Sequence, residues 1–193
     1  MQVKRLDCNP IITPETHPSI GDNINGPSLI RAPEWLDEPL GRYYLYFAHH
    51  KGQYIRLAYA DDLCGPWTVY EPGVLQVEDA PCRHHVASPD VHCDDGRLRM
   101  YFHGPTEDGQ KTFVATSGDG LHFEARDDVL GNSYFRVFEW DDAYYAIGRH
   151  GHFYRAEDPL GPFEMGHEVF ENLRHCAVRI VGQTLQVFYS NVG

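Results

Sequence analysis

The chain has 193 residues, 42% of them hydrophobic and 23% charged, with 28 acidic residues against 16 basic ones and a net charge of −12. This length suits about one domain with a real core, and the composition excludes a disordered, highly charged chain. The acidic balance argues against a nucleic-acid binder, which needs a basic stripe, and against docking on an anionic membrane. No apolar run approaches the roughly 20 residues of a membrane span, and Lys4 and Arg5 lead into no apolar stretch of the kind a signal peptide has. The five cysteines (Cys8, Cys64, Cys82, Cys93 and Cys176) are odd in number and never spaced as CxxC. That pattern predicts a reduced, cytoplasmic chain.

Taken in chain order, the sequence repeats itself. Three aromatic runs follow a Gly or Asp: Gly41–Phe47 (GRYYLYF), Gly96–Phe102 (GRLRMYF) and Asp142–Ile147 (DAYYAI). Each is followed by an acid, a glycine turn and a bulky aromatic, in Asp62–Trp67, Asp119–Phe123 and Asp158–Phe163. A fourth copy opens at Gly182–Tyr189. The runs are short, rich in Tyr, Phe, Val and Ile, and bounded by Gly, Pro and Asp, which is the signature of strands. Repeats of about 40–50 residues with four strands each predict an all-β fold, a β-propeller of four-stranded antiparallel blades. The expected layout is a single, partial propeller domain over 1–193. A lead-in segment spans 1–25, with blades over 26–71, 86–126 and 134–166 and the start of a fourth over 174–193. Three and a half blades are too few to close and to hide their sheet edges. The sequence therefore predicts a truncated piece of a longer protein, with on the order of 100 further residues in the remaining blades. An open stack that closes by association is the rival reading.

The aromatic runs, together with Ala87-Ser88-Pro89-Asp90-Val91 and the Asp62–Trp67 turn, resemble the five-bladed propeller superfamily of glycosidases, which includes glycoside hydrolase families 43, 32, 62, 117 and 130. The resemblance covers nearly the whole chain, and Asn9–Pro14 resembles the lead-in segment that completes the last blade in such proteins. It implies the fold and a carbohydrate substrate; it does not carry the catalytic set. Family 43 places a base Asp directly before a Pro at the start of an innermost strand, and the matching position here is Gly26, before Pro27. The second blade offers Ser88 before Pro89, with Asp90 after it, and the later blades hold no Glu in the family's context.

In an antiparallel propeller the starts of the innermost strands and the turns between second and third strands share one face, and eight of the 12 histidines fall there. Polar groups converging in a concavity define a candidate site. The expected function is glycoside hydrolase-like acid/base cleavage of a carbohydrate in this central funnel. Asp90 is the first choice of catalytic carboxylate and Asp22 the second. The proton donor would be His85 or His175, since an unperturbed histidine titrates near neutrality and family 117 supplies a precedent for a histidine acid. Asn25, His49, His50, Ser88, His103, Arg136 and Arg174 are expected to bind substrate, the arginines through hydroxyls or a uronate carboxylate. Arg136, in an apolar strand, needs a partner, either Asp90 or the substrate. No metal motif is present and no cofactor is expected, although imidazoles from several blades leave open a divalent ion at the axis. The competing function is a non-catalytic propeller that binds carbohydrate or protein. Oligomeric state is not read from the sequence.

Overall fold

The computed structural model describes residues 4–191; Met1–Val3 and the final Val192 and Gly193 lie outside the described residues. The first sheet holds β1 (Asn25–Arg31), β2 (Tyr43–Ala48), β3 (Tyr54–Ala60) and β4 (Thr68–Gln76). The second holds β5 (Ala87–Asp94), β6 (Arg97–Thr106), β7 (Gly109–Ser117) and β8 (Glu124–Ala125), with a short β9 (Gly131–Asn132) also paired to β7. The third holds β10 (Arg136–Trp140), β11 (Ala143–Ile147), β12 (His152–Ala156) and β13 (Glu164–Glu168). The last is the hairpin of β14 (Leu173–Val181) and β15 (Thr184–Asn191). Strands pair antiparallel in chain order within each sheet, so each sheet is a meander, the blade of an all-β propeller.

Side-chain alternation stacks the sheets. On β2, Tyr44 and Tyr46 turn toward the second sheet and join Leu98, Met100, Phe102 and Phe113 in one core. Leu45 and Phe47, one residue out of phase, turn the other way and pack with Ile12, Ile20 and Trp67 of the lead-in segment and the first sheet. The same switch recurs in the second sheet. Its Met100 and Phe113 face the first sheet, while Tyr101 and Val114 meet Phe135, Val137, Ala146 and Tyr154 of the third. A strand buried on both faces loses the polar alternation of a half-exposed one, which is why these runs read as continuous aromatic stretches. The Tyr46 hydroxyl, fully buried, donates to the Gly120 carbonyl at 3.0 Å and so bridges two sheets.

The recurrent acids are turn residues. Asp62 Oδ1 accepts the Cys64 N–H at 2.8 Å, Asp119 Oδ1 accepts those of Leu121 and His122, and Asp158 Oδ1 accepts that of Leu160 at 2.7 Å. Each carboxylate closes its own Asx turn ahead of the outermost strand or its aromatic.

The innermost strands β1, β5, β10 and β14 are wired to one another around the axis by side chains. Ser28 Oγ of β1 accepts the Val91 N–H of β5 at 2.9 Å. Asp90 Oδ2 of β5 accepts the Val137 N–H of β10 at 2.8 Å. Arg136 of β10 donates back to the Pro89 carbonyl at 2.9 Å and forward to the Cys176 carbonyl of β14 at 3.3 Å. These groups have no ladder partner on the hub side of their strands, so the side chains satisfy them where water is scarce.

The cysteines depart from the sequence expectation. Cys8 and Cys64 form a disulfide that ties the lead-in segment to the first sheet, leaving Cys82, Cys93 and Cys176 free. Their separation of 56 residues carries no local spacing signal, and the pairing follows only from the fold bringing the Cα atoms to 5.5 Å. Thiol titration of protein unfolded without reductant should count three free thiols, and reduction should cost about 2–4 kcal/mol of stability in urea unfolding. Five free thiols would remove the crosslink.

Candidate functional site

At the open end of the hub is a cavity of about 390 Å³, lined in part by Asn25, His50, His85, His103, Tyr134 and Arg174. Lys51, Ala87, Gln110 and Arg149 complete its wall. The residues come from the starts of β1, β5, β10 and β14, from the turns after β2 and β11, and from His103 of β6 and Gln110 of β7. Five of the residues expected to form the site are therefore brought together: Asn25, His50, His85, His103 and Arg174. A larger groove of about 550 Å³ lies between β4 and the segment around β8, lined by residues of 72–76, Asp79 and 121–125.

A relay holds the first-sheet side of the wall. The buried Ser88 hydroxyl donates to Asn25 Oδ1 at 3.1 Å, so Ser88 supports the wall and does not line it. This orients the Asn25 amide toward His50 Nδ1, also at 3.1 Å. An amide N–H donor requires Nδ1 to be an acceptor, which leaves the proton of neutral His50 on Nε2. The His50 N–H in turn donates to Asn23 Oδ1 at 2.8 Å. His49 sits outside the wall, where its Nε2 meets Asp22 Oδ1 at 3.3 Å. Asp22 is almost wholly exposed, with none of the shielding that would fit it to act as a base.

The opposite side is a row of rings. His85 lies edge-on to His103, with centroids 6.5 Å apart. Tyr134 then stands between His103 and His175, each at 4.4 Å. His103 is 4% exposed, and its Nδ1 has no hydrogen-bond partner. Burial, reinforced by neighbouring imidazoles of His85, His175 and His50 when they are protonated and by the Arg136 guanidinium, pushes its pKa down to about 3. Burial also holds His85 and His175 below their usual value. All three are neutral near pH 7, which gives each ring one donor and one acceptor but no proton to deliver to a leaving group.

Asp90 is not brought to the wall. Its Oδ2 accepts the Val137 N–H and meets His92 Nε2 at 3.1 Å, while Oδ1 lies 3.5 Å from Arg136 Nη1. Burial raises its pKa, but the charges of His92 and Arg136 and the bonds from His92 and Val137 outweigh burial and hold it below the ordinary carboxylate value. Both oxygens are committed within the hub, so Asp90 and Arg136 act on strand geometry beneath the cavity. The position that the resemblance matched to a base Asp is closed as well. Gly26 has φ +52, and a Cβ there would lie 2.6 Å from Ser88 Cα, so no side chain fits without a backbone shift.

Tyr134 and Gln110 had no signal in the sequence. Tyr134 reaches the wall through φ +66, a conformation that pattern reading does not disclose. Ser88, His84 and His150 also have positive φ, so strained backbone gathers around this end of the hub. Lys51 and Arg149, in the turns after β2 and β11, also line the cavity. Among the described residues no group of three or more His, Cys, Asp or Glu side chains is arranged to hold a metal ion, so the axial ion weighed from the sequence has no ligand set there. No helix of the described residues is long and apolar enough to cross a membrane.

The buried histidines fix an acid limb of stability. Unfolding returns His103 to its ordinary value near 6.5 from about 3. Between these values the unfolded chain binds a proton that the folded chain refuses. Stability is therefore complete above about pH 6.5 and falls as pH drops, by up to about 1.4 kcal/mol per pH unit for this one group. His85 and His175 act with the same sign. Urea unfolding at pH 7, 6 and 5 should show this loss, with a shallower slope in His103→Gln; an unchanged slope would contradict the burial of a neutral ring.

No known protein-family profile matches the chain. It is 31% identical to the uncharacterized protein R118 of Acanthamoeba polyphaga mimivirus over 99% of its own length, and it spans 65% of that relative. Among solved structures it is similar to a family 43 β-xylosidase/α-arabinofuranosidase from a compost microbial metagenome. That match has a TM-score of 0.66 and 14% identity, over 87% of this chain and 70% of the other. It is also similar to a family 43 arabinoxylan arabinofuranohydrolase from Bacillus subtilis, with a TM-score of 0.62 and 18% identity over 84% and 42% of the two chains. A third similar structure is a family 32 β-fructofuranosidase from Bombyx mori, with a TM-score of 0.61 and 14% identity over 88% and 42%. At these identities the likeness shows architecture alone: the chain has the fold of the β-propeller glycosidases.

Proposed function

We propose that this protein is a carbohydrate-binding propeller that holds a saccharide in the hub cavity without the two-carboxylate hydrolysis of its fold relatives. The observation that carries the reading is the composition of the wall: imidazole, amide, phenol and cationic groups, with no Asp or Glu. Hydrolysis of a glycosidic bond ordinarily needs an acid and a base on two carboxyl groups about 5–9.5 Å apart. Gly26 has no room for a side chain and Asp90 is engaged by Val137, His92 and Arg136. The alternative acids, His85 and His175, are held neutral by burial.

Neutral imidazoles and amides suit sugar hydroxyls, each of which needs both a donor and an acceptor. A volume of about 390 Å³ falls within the range of small-ligand sites. The solved structures of similar fold include enzymes in complex with xylotriose and with cellotetraose, which supports a saccharide as the ligand class. The Cys8–Cys64 bond favours an oxidising setting over the cytoplasm read from the cysteine count, since disulfides are rare in reducing cytosol.

The test is a glycan panel scored for binding by calorimetry and for new reducing ends. The expected result is binding without release of reducing ends, weakened by about tenfold or more in Tyr134→Ala. Turnover that vanishes in His85→Ala or His175→Ala would contradict the reading and restore the hydrolytic one.

A further inference from the structure

We propose that the saccharide taken by the hub cavity carries an anionic substituent, a carboxylate, sulfate or phosphate group, held by Lys51, Arg149 and Arg174. The inference rests on the carbohydrate reading of the same cavity and adds the chemical class of its ligand.

Among the described residues six of the 16 lysines and arginines pair with a carboxylate. Arg83, Arg126 and Arg155 at the surface each pair with a neighbouring acid, and Arg136 beneath the cavity is neutralised by Asp90. Among the described residues Lys51, Arg149 and Arg174 have no such partner, although all three line one concavity, and no Asp or Glu lines it with them. Three unneutralised cations around a partly enclosed space raise its positive potential, and low-dielectric walls focus that field. The rest of the wall cannot cancel it, because the imidazole of His103 is neutral and Asn25, Gln110 and Tyr134 carry no charge.

Two buried polar atoms of residues in the wall are left for a ligand or water to satisfy. His103 is 4% exposed and its Nδ1 bonds to nothing within the chain. Arg149 Nε is likewise buried without a partner. An unsatisfied buried donor or acceptor costs about 1–3 kcal/mol unless a ligand or water meets it. A guanidinium fork matches two oxygens of a carboxylate, sulfate or phosphate, and a lysine adds a point charge. The division of labour follows: cations at the mouth and side of the cavity take the anionic oxygens, and neutral rings and amides take the hydroxyls.

The experiment is calorimetric titration of the full chain at pH 7 with galactose, galacturonate, galactose 6-sulfate and galactose 6-phosphate, and with inorganic sulfate and phosphate alone. At least one charged sugar should bind about tenfold or more tighter than galactose, and which one does so identifies the anionic group. That preference should shrink as salt rises. Arg174→Gln and Lys51→Gln, at exposed positions, should each remove most of it, weakening the charged sugar by a larger factor than galactose.

Galactose binding as tightly as all three charged sugars overturns the anion inference and leaves carbohydrate binding standing. Inorganic sulfate or phosphate binding as tightly as the matching sugar ester overturns the carbohydrate reading and leaves an anion site. A preference untouched by either variant overturns the assignment of residues, and no binding by any probe overturns both readings.

Discussion

A propeller blade satisfies its own backbone within the sheet, except along the hub side of its innermost strand. Here the exposed N–H of Val137 is taken by Asp90 from the preceding blade, and the same carboxylate faces Arg136 at 3.5 Å. Arg136 spans from the Pro89 carbonyl to the Cys176 carbonyl, so one ion pair touches three innermost strands. Removing one member of such a pair leaves the other charged and shielded from water, which is the costly case. The clasp ties three sheets to one another at the axis.

The clasp also decides what the cavity above it can do. A carboxylate spent on a backbone N–H, an imidazole and a guanidinium is unavailable to activate water. Gly26, with φ +52 and Ser88 against it, leaves no room for a side chain at the position where family 43 places its base Asp. What remains exposed to a ligand is a wall of neutral rings, amides and three cations. The chain has the glycosidase architecture, and no Asp or Glu lines this cavity.

The sequence made the sheets legible because burial on both faces writes itself as aromatic runs. Tyr44, Tyr46 and Phe47 could be assigned to packing from that pattern alone. The converging face was legible too, since antiparallel connectivity places His50, His85 and His103 at one end of the hub. The direction of Asp90 was not: a side chain at the start of an innermost strand can face the cavity or the next blade, and only the register with Val137 settles it. Tyr134 was hidden by its left-handed backbone, and the Cys8–Cys64 bond by a separation that has meaning only in three dimensions. Charge was the subtler miss. Lys51 and Arg149 sit in turns on the same face, but no pattern along the chain reveals which cations lack an acid in space.

The account's central claim is that Asp90 belongs to the hub's framework and not to its chemistry. The most direct measurement is equilibrium urea unfolding of Asp90→Ala beside its saccharide affinity. Stability should fall by about 3–5 kcal/mol, as expected when Arg136 loses its partner, while the folded fraction binds with an affinity within about twofold of the parent. A variant as stable as the parent that has lost binding, or lost turnover, would place the carboxylate in the site and contradict the account.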